Sequence, residues 1–257
     1  MRDLYINTEW TRRFTDLLDK DLDLKHVENL VYLNAGTGDH CIEIREKADE
    51  STAIVGLCDN DELLKIARDK AVAVKADVEF SNSRLENDAF DAVITDASFT
   101  KPADLAALIS ESIRIAEPNG NVSVMTAASG SFGEVFSLLW EVLFNENLGE
   151  HGAAAEAMIA ELPTADQIKE IGSVAGLKDV KTETSSEVFE FENGEAFTTS
   201  PLVENFLMPE WLKTLSDDER TVVKGKLTQL IDAEYGEIPF RFSVKATVLT
   251  GKKELSH

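Results

Sequence analysis

The sequence predicts an α/β fold with a doubly wound, mostly parallel sheet of seven strands. Apolar, β-branched runs alternate with amphipathic segments through the first half of the chain, as parallel strands with right-handed crossovers do. The first of these runs leads directly into a glycine turn at 34–38. The run at 240–250 is joined to the strand before it without a plain right-handed helical crossover. We therefore expect this last strand to lie antiparallel.

The elements of the first half follow from periodicity and from capping residues. Residues 1–25 are predicted to be helical, because Trp10 and Phe14 recur on one amphipathic side. The strand at 30–35 precedes a helix that begins near Asp39. The next strands and helices, in order, are predicted at 52–58, 59–71, 76–82, 90–95, 102–116 and 121–126. Pro118-Asn119-Gly120 is expected to end the last of these helices and turn the chain into the fifth strand.

The second half is predicted to add two helical insertions to a single domain that spans residues 1–257. Residues 131–161 and 195–236 are helix-rich, and we expect them to form caps that pack together over an apolar cavity. A helix at 163–175 and a strand at 178–191 lie between them. The large apolar side chains of the caps are Phe136, Trp140, Phe206 and Trp211.

Composition excludes several classes of function. The chain has 257 residues, a formal net charge of −23 and 43% hydrophobic residues. Such an acidic surface repels phosphate backbones and anionic lipids, so we expect neither nucleic acid nor membrane as a partner. An apolar leader and a span of about 18 apolar residues are both missing from the sequence. We expect a cytoplasmic protein.

The cysteines and histidines do not form a metal-binding pattern. Cys41 and Cys58 are the two cysteines, and both are expected to be small buried hydrophobic residues. The four histidines are scattered and make no pair at helical spacing. We therefore predict no metal site and no disulfide.

The glycine turn is the strongest functional signal. Gly36 and Gly38 allow positive φ and a close backbone approach to a ligand. The helix that begins near Asp39 directs its unpaired N–H groups toward that ligand. Asp96 follows the fourth strand, at the sheet edge where ligands of such folds bind. These features predict a nucleotide-like ligand.

Four segments, taken in order and spacing, carry a family resemblance. They are Asn34-Ala35-Gly36-Thr37-Gly38, Val55-Gly56-Leu57-Cys58-Asp59 with 63–68, Phe90-Asp91-Ala92-Val93-Ile94, and the helix–Pro–Gly–strand junction at 114–122. Together they resemble class I S-adenosylmethionine-dependent methyltransferases, the small-molecule type that includes quinone-biosynthesis enzymes. The resemblance implies a Rossmann-like sheet, S-adenosylmethionine as cofactor and a small-molecule methyl acceptor.

The resemblance also implies where the cofactor lies. Its methionine end is expected at the 34–38 turn, its ribose at an acid after the second strand, and its adenine after the third strand. A carboxylate suits the ribose because it can accept hydrogen bonds from both hydroxyls. The residues expected to bind the cofactor are Asn34, Ala35, Gly36, Thr37, Gly38, Cys58, Asp59, Asn60, Ser83, Arg84, Leu85 and Asp96.

The chain departs from the family pattern at several of these positions. Tyr32 stands where the family often has an acid, and Asn34 replaces the first glycine of the turn. A gapless alignment places Cys58 at the ribose acid, so Asp59 takes this role only after a one-residue slip. The alternative for Asp59 is a cap of the following helix. After the third strand, the usual acid falls on Ser83 or Arg84.

Residues for the chemical step are less well marked, because methyl transfer needs a base only when the acceptor must lose a proton early. Asp96 and His151 are the candidates, with a turn cap and a surface histidine as their alternative roles. Tyr5 and Trp10 are candidates for an N-terminal lid formed by residues 1–25, or for core packing.

Three functions remain open from the sequence alone. The first is methyl transfer to a small, apolar molecule. The second is a catalytically degenerate relative used for binding or assembly, which the changes at Tyr32, Asn34 and Cys58 motivate. The third, an NAD-dependent oxidoreductase, is disfavoured because Cys41 occupies the third glycine position of the dinucleotide motif. A homodimer is left open.

Overall fold

The computed structural model describes residues 2–255, and it describes their side chains except those of residues 2–5, 154–155 and 158–159. Seven strands form one sheet in the order β3-β2-β1-β4-β5-β7-β6, with β7 antiparallel and helices flanking the sheet. This arrangement confirms the predicted fold class. The strands are β1 Asn29–Leu33, β2 Ala53–Leu57, β3 Glu79–Ser81, β4 Phe90–Asp96, β5 Ala116–Ala128, β6 Leu177–Phe191 and β7 Phe240–Lys253.

The helices occupy the segments that periodicity predicts. A π-helical stretch at Arg2–Thr11 continues into α1, and a 3₁₀ turn at Gly149–His151 and a second π-helical stretch at Val203–Leu207 lie in the later helical segments. The α-helices are α1 Arg12–Asp19, α2 Asp39–Lys47, α3 Asp61–Val74, α4 Pro102–Ile115, α5 Gly133–Asn145, α6 Gly152–Ala160, α7 Ala165–Val174, α8 Gly194–Thr198, α9 Met208–Trp211 and α10 Asp217–Tyr235.

The central strands pair in parallel, and their register brings their carboxyl ends to one edge. Leu33 of β1 is opposite Leu57 of β2 and Thr95 of β4, and Leu57 is opposite Ser81 of β3. Residues 30–33 of β1 are all buried. A parallel strand in the middle of a covered sheet is buried on both faces, which explains the unbroken apolar run.

Chain contacts divide the structure into two compact units. The larger one contains residues 2–127, 164–185 and 246–255, and it carries β1 to β4. The smaller one contains residues 128–163 and 186–245. In the smaller unit α10 packs against α5 and α8.

Aromatic side chains fill the core of the smaller unit. Phe132 and Phe136 each contact Trp211, with ring centroids 5.6 and 5.5 Å apart. Phe242 stacks on Phe189 at 4.8 Å. Phe136 and Trp211, which we expected to line an acceptor cavity, are therefore buried in ring–ring contacts.

Two details of the sheet differ from the predicted elements. Strand β3 has only three residues. Strand β5 begins at Ala116, before the Pro118-Asn119-Gly120 segment that was expected to precede it, and its register with β4 shifts between Phe90 and Ala92. The proline and glycine are accommodated in this irregularity, with Asn119 at a left-handed φ of 68°.

Candidate active site

The predicted cofactor segments lie next to one another at the carboxyl edge of the sheet. The N–H of Ala35 donates to the carbonyl of Leu57 at 2.8 Å, and the N–H of Cys58 donates to that of Ser81 at 2.8 Å. These bonds place the turn after β1 beside the turn after β2, and the turn after β2 beside the loop after β3. The three places where the cofactor is expected, after β1, β2 and β3, are thus adjacent. Asp96 ends β4, which lies on the other side of β1.

The turn after β1 is held in a left-handed geometry. Asn34, Gly36 and Gly38 have φ values of 56°, 57° and 86°. Asparagine is one of the few residues with a side chain that adopts this region readily, which explains how Asn34 can replace a glycine. Its amide Nδ2 donates to the backbone carbonyl of Asp96 at 2.9 Å and ties the turn to the end of β4.

A cavity of about 210 Å³ lies at this turn. Its walls come from the turn itself, the end of β4, the start of α2 and the N-terminal helical segment. The residues that line it are Asn7, Thr8, Thr11, Arg12, Thr15, Tyr32, Asn34, Ala35, Gly36, Asp39, His40, Glu43 and Asp96. Asn34, Ala35, Gly36 and Asp96 were predicted to bind the cofactor.

The N-terminal segment is fastened to this site by polar contacts. Asn7 Nδ2 donates to Thr37 Oγ1 at 2.8 Å and also to the carboxylate of Asp39. Trp10 Nε1 donates to Ser98 Oγ at 3.0 Å, and its ring stacks on Phe99. The tryptophan was predicted as a lid or core residue; it is buried and also bonded to the loop after β4. The side chain of Tyr5, and residue 1, lie outside the described parts of the structure.

A second polar group lies at the start of α2. Lys70 Nζ, from α3, lies 2.7 and 2.8 Å from the two carboxylate oxygens of Asp39 and 3.2 Å from Thr37 Oγ1. Thr37 is buried, and its hydroxyl is used in these bonds. The contacts of Asn7 and Lys70 hold the glycine turn from two sides.

Four side chains form a continuous hydrogen-bonded row from the cavity to the surface. Tyr32 Oη lies 3.1 Å from His40 Nδ1, and His40 Nε2 lies 3.2 Å from Asp19 Oδ1. The other carboxylate oxygen of Asp19 accepts from Lys47 Nζ. Burial acts to raise the pKa of Asp19, but the hydrogen bonds from His40 and Lys47 outweigh it and leave this pKa below its ordinary value.

The three residues after β2 differ in their exposure and in their contacts. Cys58 is buried, and Asp59 is exposed. Asn60, and not Asp59, caps α3, because its side chain accepts from the N–H of Leu63 at 3.0 Å. The alternative role of Asp59 as the helix cap is therefore wrong. Cys41 and Cys58 are both buried, as predicted, and burial raises the pKa of the Cys41 thiol.

The loop after β3 holds the predicted adenine-side residues. Ser83 and Arg84 are exposed, and Leu85 is half-buried. The Leu85 carbonyl accepts from Arg114 Nη2 at 3.0 Å. These residues and the turn after β2 lie along the same edge as the cavity but do not belong to its lining.

The two candidate bases differ in position. Asp96 lines the cavity, and its Oδ1 accepts from the N–H of Ser98 at 2.9 Å. His151 belongs to the smaller unit, where its Nδ1 lies 3.1 Å from Thr214 Oγ1. The sequence reasoning did not single out Asn7, Asp19, His40 or Lys70, because their contacts cross long stretches of chain.

The fold resembles that of several solved proteins, methyltransferases among them. The YcgJ protein from Bacillus subtilis aligns with a TM-score of 0.61 at 12% identity, over 95% of this chain and 100% of that chain. A phosphoethanolamine N-methyltransferase from Haemonchus contortus, solved with S-adenosyl-L-methionine, gives 0.54 at 16%, over 96% and 53%. Geranyl diphosphate C-methyltransferase from Streptomyces coelicolor gives 0.51 at 10%, over 96% and 80%. No curated protein matches the sequence significantly.

The class of protein follows from the fold and from a family match. The chain is an S-adenosylmethionine-dependent methyltransferase. More narrowly, residues 3–187 match the ubiE/COQ5 methyltransferase family, and the chain belongs to that family. The degenerate, non-catalytic alternative finds no support in these comparisons. Among the described residues, no helix is long and apolar enough to cross a bilayer.

Proposed function

We propose that this protein transfers a methyl group from S-adenosylmethionine to a small, apolar molecule, with the cofactor held along the carboxyl edge of β1 to β4. The observation that carries the proposal is the cavity at the left-handed turn 34–38. It joins the glycine turn to an acid at the end of a neighbouring strand, which is the arrangement expected of a site for a charged, nucleotide-like ligand.

The groups in and beside the cavity fit the parts of the cofactor. Backbone N–H groups at the turn and at the start of α2 suit a carboxylate. Asp96 and the hydroxyl of Tyr32 suit an ammonium group, and both line the cavity. Asp59 lies in the turn after β2, next to the glycine turn after β1, and its exposed carboxylate suits a pair of ribose hydroxyls. On this proposal Ser83, Arg84 and Leu85 border the adenine.

The protein contributes mainly alignment and exclusion of water. The cofactor, when bound, supplies a methyl carbon that is already electrophilic because it is attached to a positively charged sulfur. Five residues of the N-terminal segment line the cavity, and on this proposal they shield it from solvent as a lid does: Asn7, Thr8, Thr11, Arg12 and Thr15. Asp96 is the candidate that can accept a proton inside this cavity. His151 is kept as a second candidate for an acceptor held by the smaller unit.

The apolar acceptor is proposed from the composition of the smaller unit. Its helices at 131–161 and 195–236 are the proposed caps. Phe132, Phe136 and Trp211 contact one another and make the interior of this unit apolar, although these three rings do not themselves line an acceptor cavity. The Streptomyces coelicolor enzyme named above was solved with geranyl diphosphate, whose hydrocarbon chain is apolar. The two buried cysteine thiols suit the cytoplasm, which we propose as the compartment.

Calorimetric titration with S-adenosylmethionine and S-adenosylhomocysteine tests the cofactor site. Gly36→Val should abolish binding, because a β-branched side chain at a φ of 57° is strained and fills the space beside the turn. Gly176→Val is the matched control: it has a positive φ of 104°, nothing lies near its Cβ position, and it lies outside the cavity lining. Wild-type affinity in Gly36→Val would overturn the proposed site.

A further inference from the structure

The row Tyr32–His40–Asp19 joins the cavity wall to the N-terminal helix. His40 and Asp19 are largely shielded, with side chains 6% and 20% exposed. Tyr32 is buried in β1, yet its side chain lines the cavity. The proposed function assigns no role to His40 or Asp19.

When His40 is neutral, the chemistry of the three groups sets where the hydrogens lie. An ionised carboxylate only accepts hydrogen bonds, so Asp19 requires a hydrogen on His40 Nε2. In a neutral imidazole the other nitrogen, Nδ1, then carries a lone pair and accepts. In this neutral state the hydroxyl of Tyr32 donates its hydrogen to Nδ1, 3.1 Å away. Its oxygen keeps lone pairs that can accept a hydrogen bond from a ligand.

The charges around Tyr32 favour a cation in the cavity. Asp96 lines the same cavity, and burial first, and then the charge of Asp96, raises the pKa of Tyr32 well above its ordinary value. Each acid of the lining has a partner: Asp96 accepts from the N–H of Ser98, Glu43 is bonded to Arg12 at 3.0 Å, and Asp39 is bonded to Lys70. Tyr32 thus stays protonated beside a negative group.

We propose that a neutral His40 and Asp19 are positioning residues that orient the hydroxyl of Tyr32, and that its oxygen, as a hydrogen-bond acceptor, makes the cavity selective for a primary ammonium group. This inference rests on the proposed function, because the ammonium in question is that of the cofactor's amino-acid end. Asp19 is the last residue of α1, so the selectivity depends on the docked N-terminal helix.

Ligand discrimination tests the role of Tyr32 without an activity assay. The probes are S-adenosylhomocysteine and its analogue in which hydrogen replaces the α-amino group. The wild type should bind the amino ligand about tenfold or more tightly than the analogue, since a charge-assisted hydrogen bond is lost. Tyr32→Phe should bring the two affinities together mainly by weakening the amino ligand. Asp19→Asn should reduce the preference partly.

Thr95→Val is the matched control. Thr95 is buried in β4 and bonded to Ser112 Oγ at 2.8 Å, away from the cavity lining. This variant loses a buried hydrogen bond in the same sheet, but it should keep the full wild-type preference for the amino ligand over the analogue. An unchanged preference in Tyr32→Phe would overturn the inference. Equal wild-type affinities would overturn it and leave the proposed function standing, whereas binding of neither ligand would overturn both.

The imidazole of His40 gives a second readout that needs no ligand. Long-range ¹H–¹⁵N spectra at neutral pH should show His40 with its hydrogen on Nε2 and a bare Nδ1, with Asp19→Asn shifting these resonances. Tyr32→Phe should move the Nδ1 resonance alone. A doubly protonated His40, or a hydrogen on Nδ1, would overturn the inference even if the ligand is bound.

Discussion

The buried thiol of Cys58 and the exposed carboxylate of Asp59 are neighbours at the end of β2. The sequence left open whether Asp59 binds ribose or caps a helix, and Asn60 proves to be the cap. The carboxylate is therefore available at the sheet edge, next to the glycine turn. A one-residue slip of this kind is easily absorbed where a strand ends, because the backbone is no longer constrained by a partner on both sides.

Asp59→Ala should weaken S-adenosylhomocysteine binding by about 1.5–3 kcal/mol, the range for hydrogen bonds to a charged group. Calorimetry measures the change. Glu62→Ala removes an equally exposed acid from the first turn of α3 and should leave affinity near the wild-type value. If both variants lose affinity equally, the effect is one of overall charge and not of a ribose contact.

Asp19 should contribute stability that depends on pH. Its pKa is lowered in the folded protein, so the contribution is present above the unfolded pKa of about 3.9 and is lost as the pH falls through the lower folded value. Asp19→Asn should lower the free energy of unfolding at pH 7. Urea unfolding across the acid range should show this difference shrinking below about pH 4. A constant difference at all pH values would contradict the prediction.

At the scale of elements, β2, β3 and the glycine turn meet at one aromatic ring. A Cβ added to Gly56 would lie 2.4 Å from Phe80 Cε1, and one added to Gly38 would lie 2.6 Å from Phe80 Cζ. The short strand β3 thus supplies a side chain that fills the space left by two glycines. These glycines permit close packing between the edge strand and the turn.

Gly56→Ala should destabilise the protein by about 1–3 kcal/mol, because it overpacks a filled core against Phe80. Adding Phe80→Leu should recover part of this loss, since the smaller side chain leaves room for the new methyl group. A double-mutant cycle in urea unfolding measures the coupling. Additive losses would show that the ring and the glycine act independently.

Element boundaries were predictable where one physical signal dominates. Helix α4 begins at Pro102 and α2 at Asp39, where proline and an acidic first turn favour a start. Strand β3 was predicted over 76–82 but is only Glu79–Ser81, because pairing with β2 begins at Val55. An isolated apolar run cannot reveal where its partner strand begins.

At the scale of the whole molecule, the net charge of −23 opposes compaction. Added salt screens like charges, and the screening length falls to about 3 Å at 1 M ionic strength. The free energy of unfolding should therefore rise between low and molar sodium chloride. Urea titrations at several salt concentrations measure this. A fall with salt would mean that ion pairs such as Lys70–Asp39 outweigh the general repulsion.

The fold and the glycine turn could be predicted from sequence, but the polar contacts around the turn could not. Strand and helix periods are local signals, readable over about ten residues. The bonds Asn7–Thr37 and Asp19–His40 join side chains 30 and 21 positions apart, and nothing local marks them. His40 in particular looks like a scattered histidine until β1, α1 and α2 are assembled.

The strand order also has a consequence for how the chain folds while it is being synthesised. Strand β6 has a single neighbour in the sheet, β7, and residues 192–239 separate the two. As the polypeptide leaves the ribosome, β6 must wait for β7 before it can pair, while β1 to β4 already have their neighbours and β5 is paired with β4. An unpaired strand of 15 residues invites contact with other nascent chains. Its alternating threonine, glutamate and lysine side chains make it a poor partner for them.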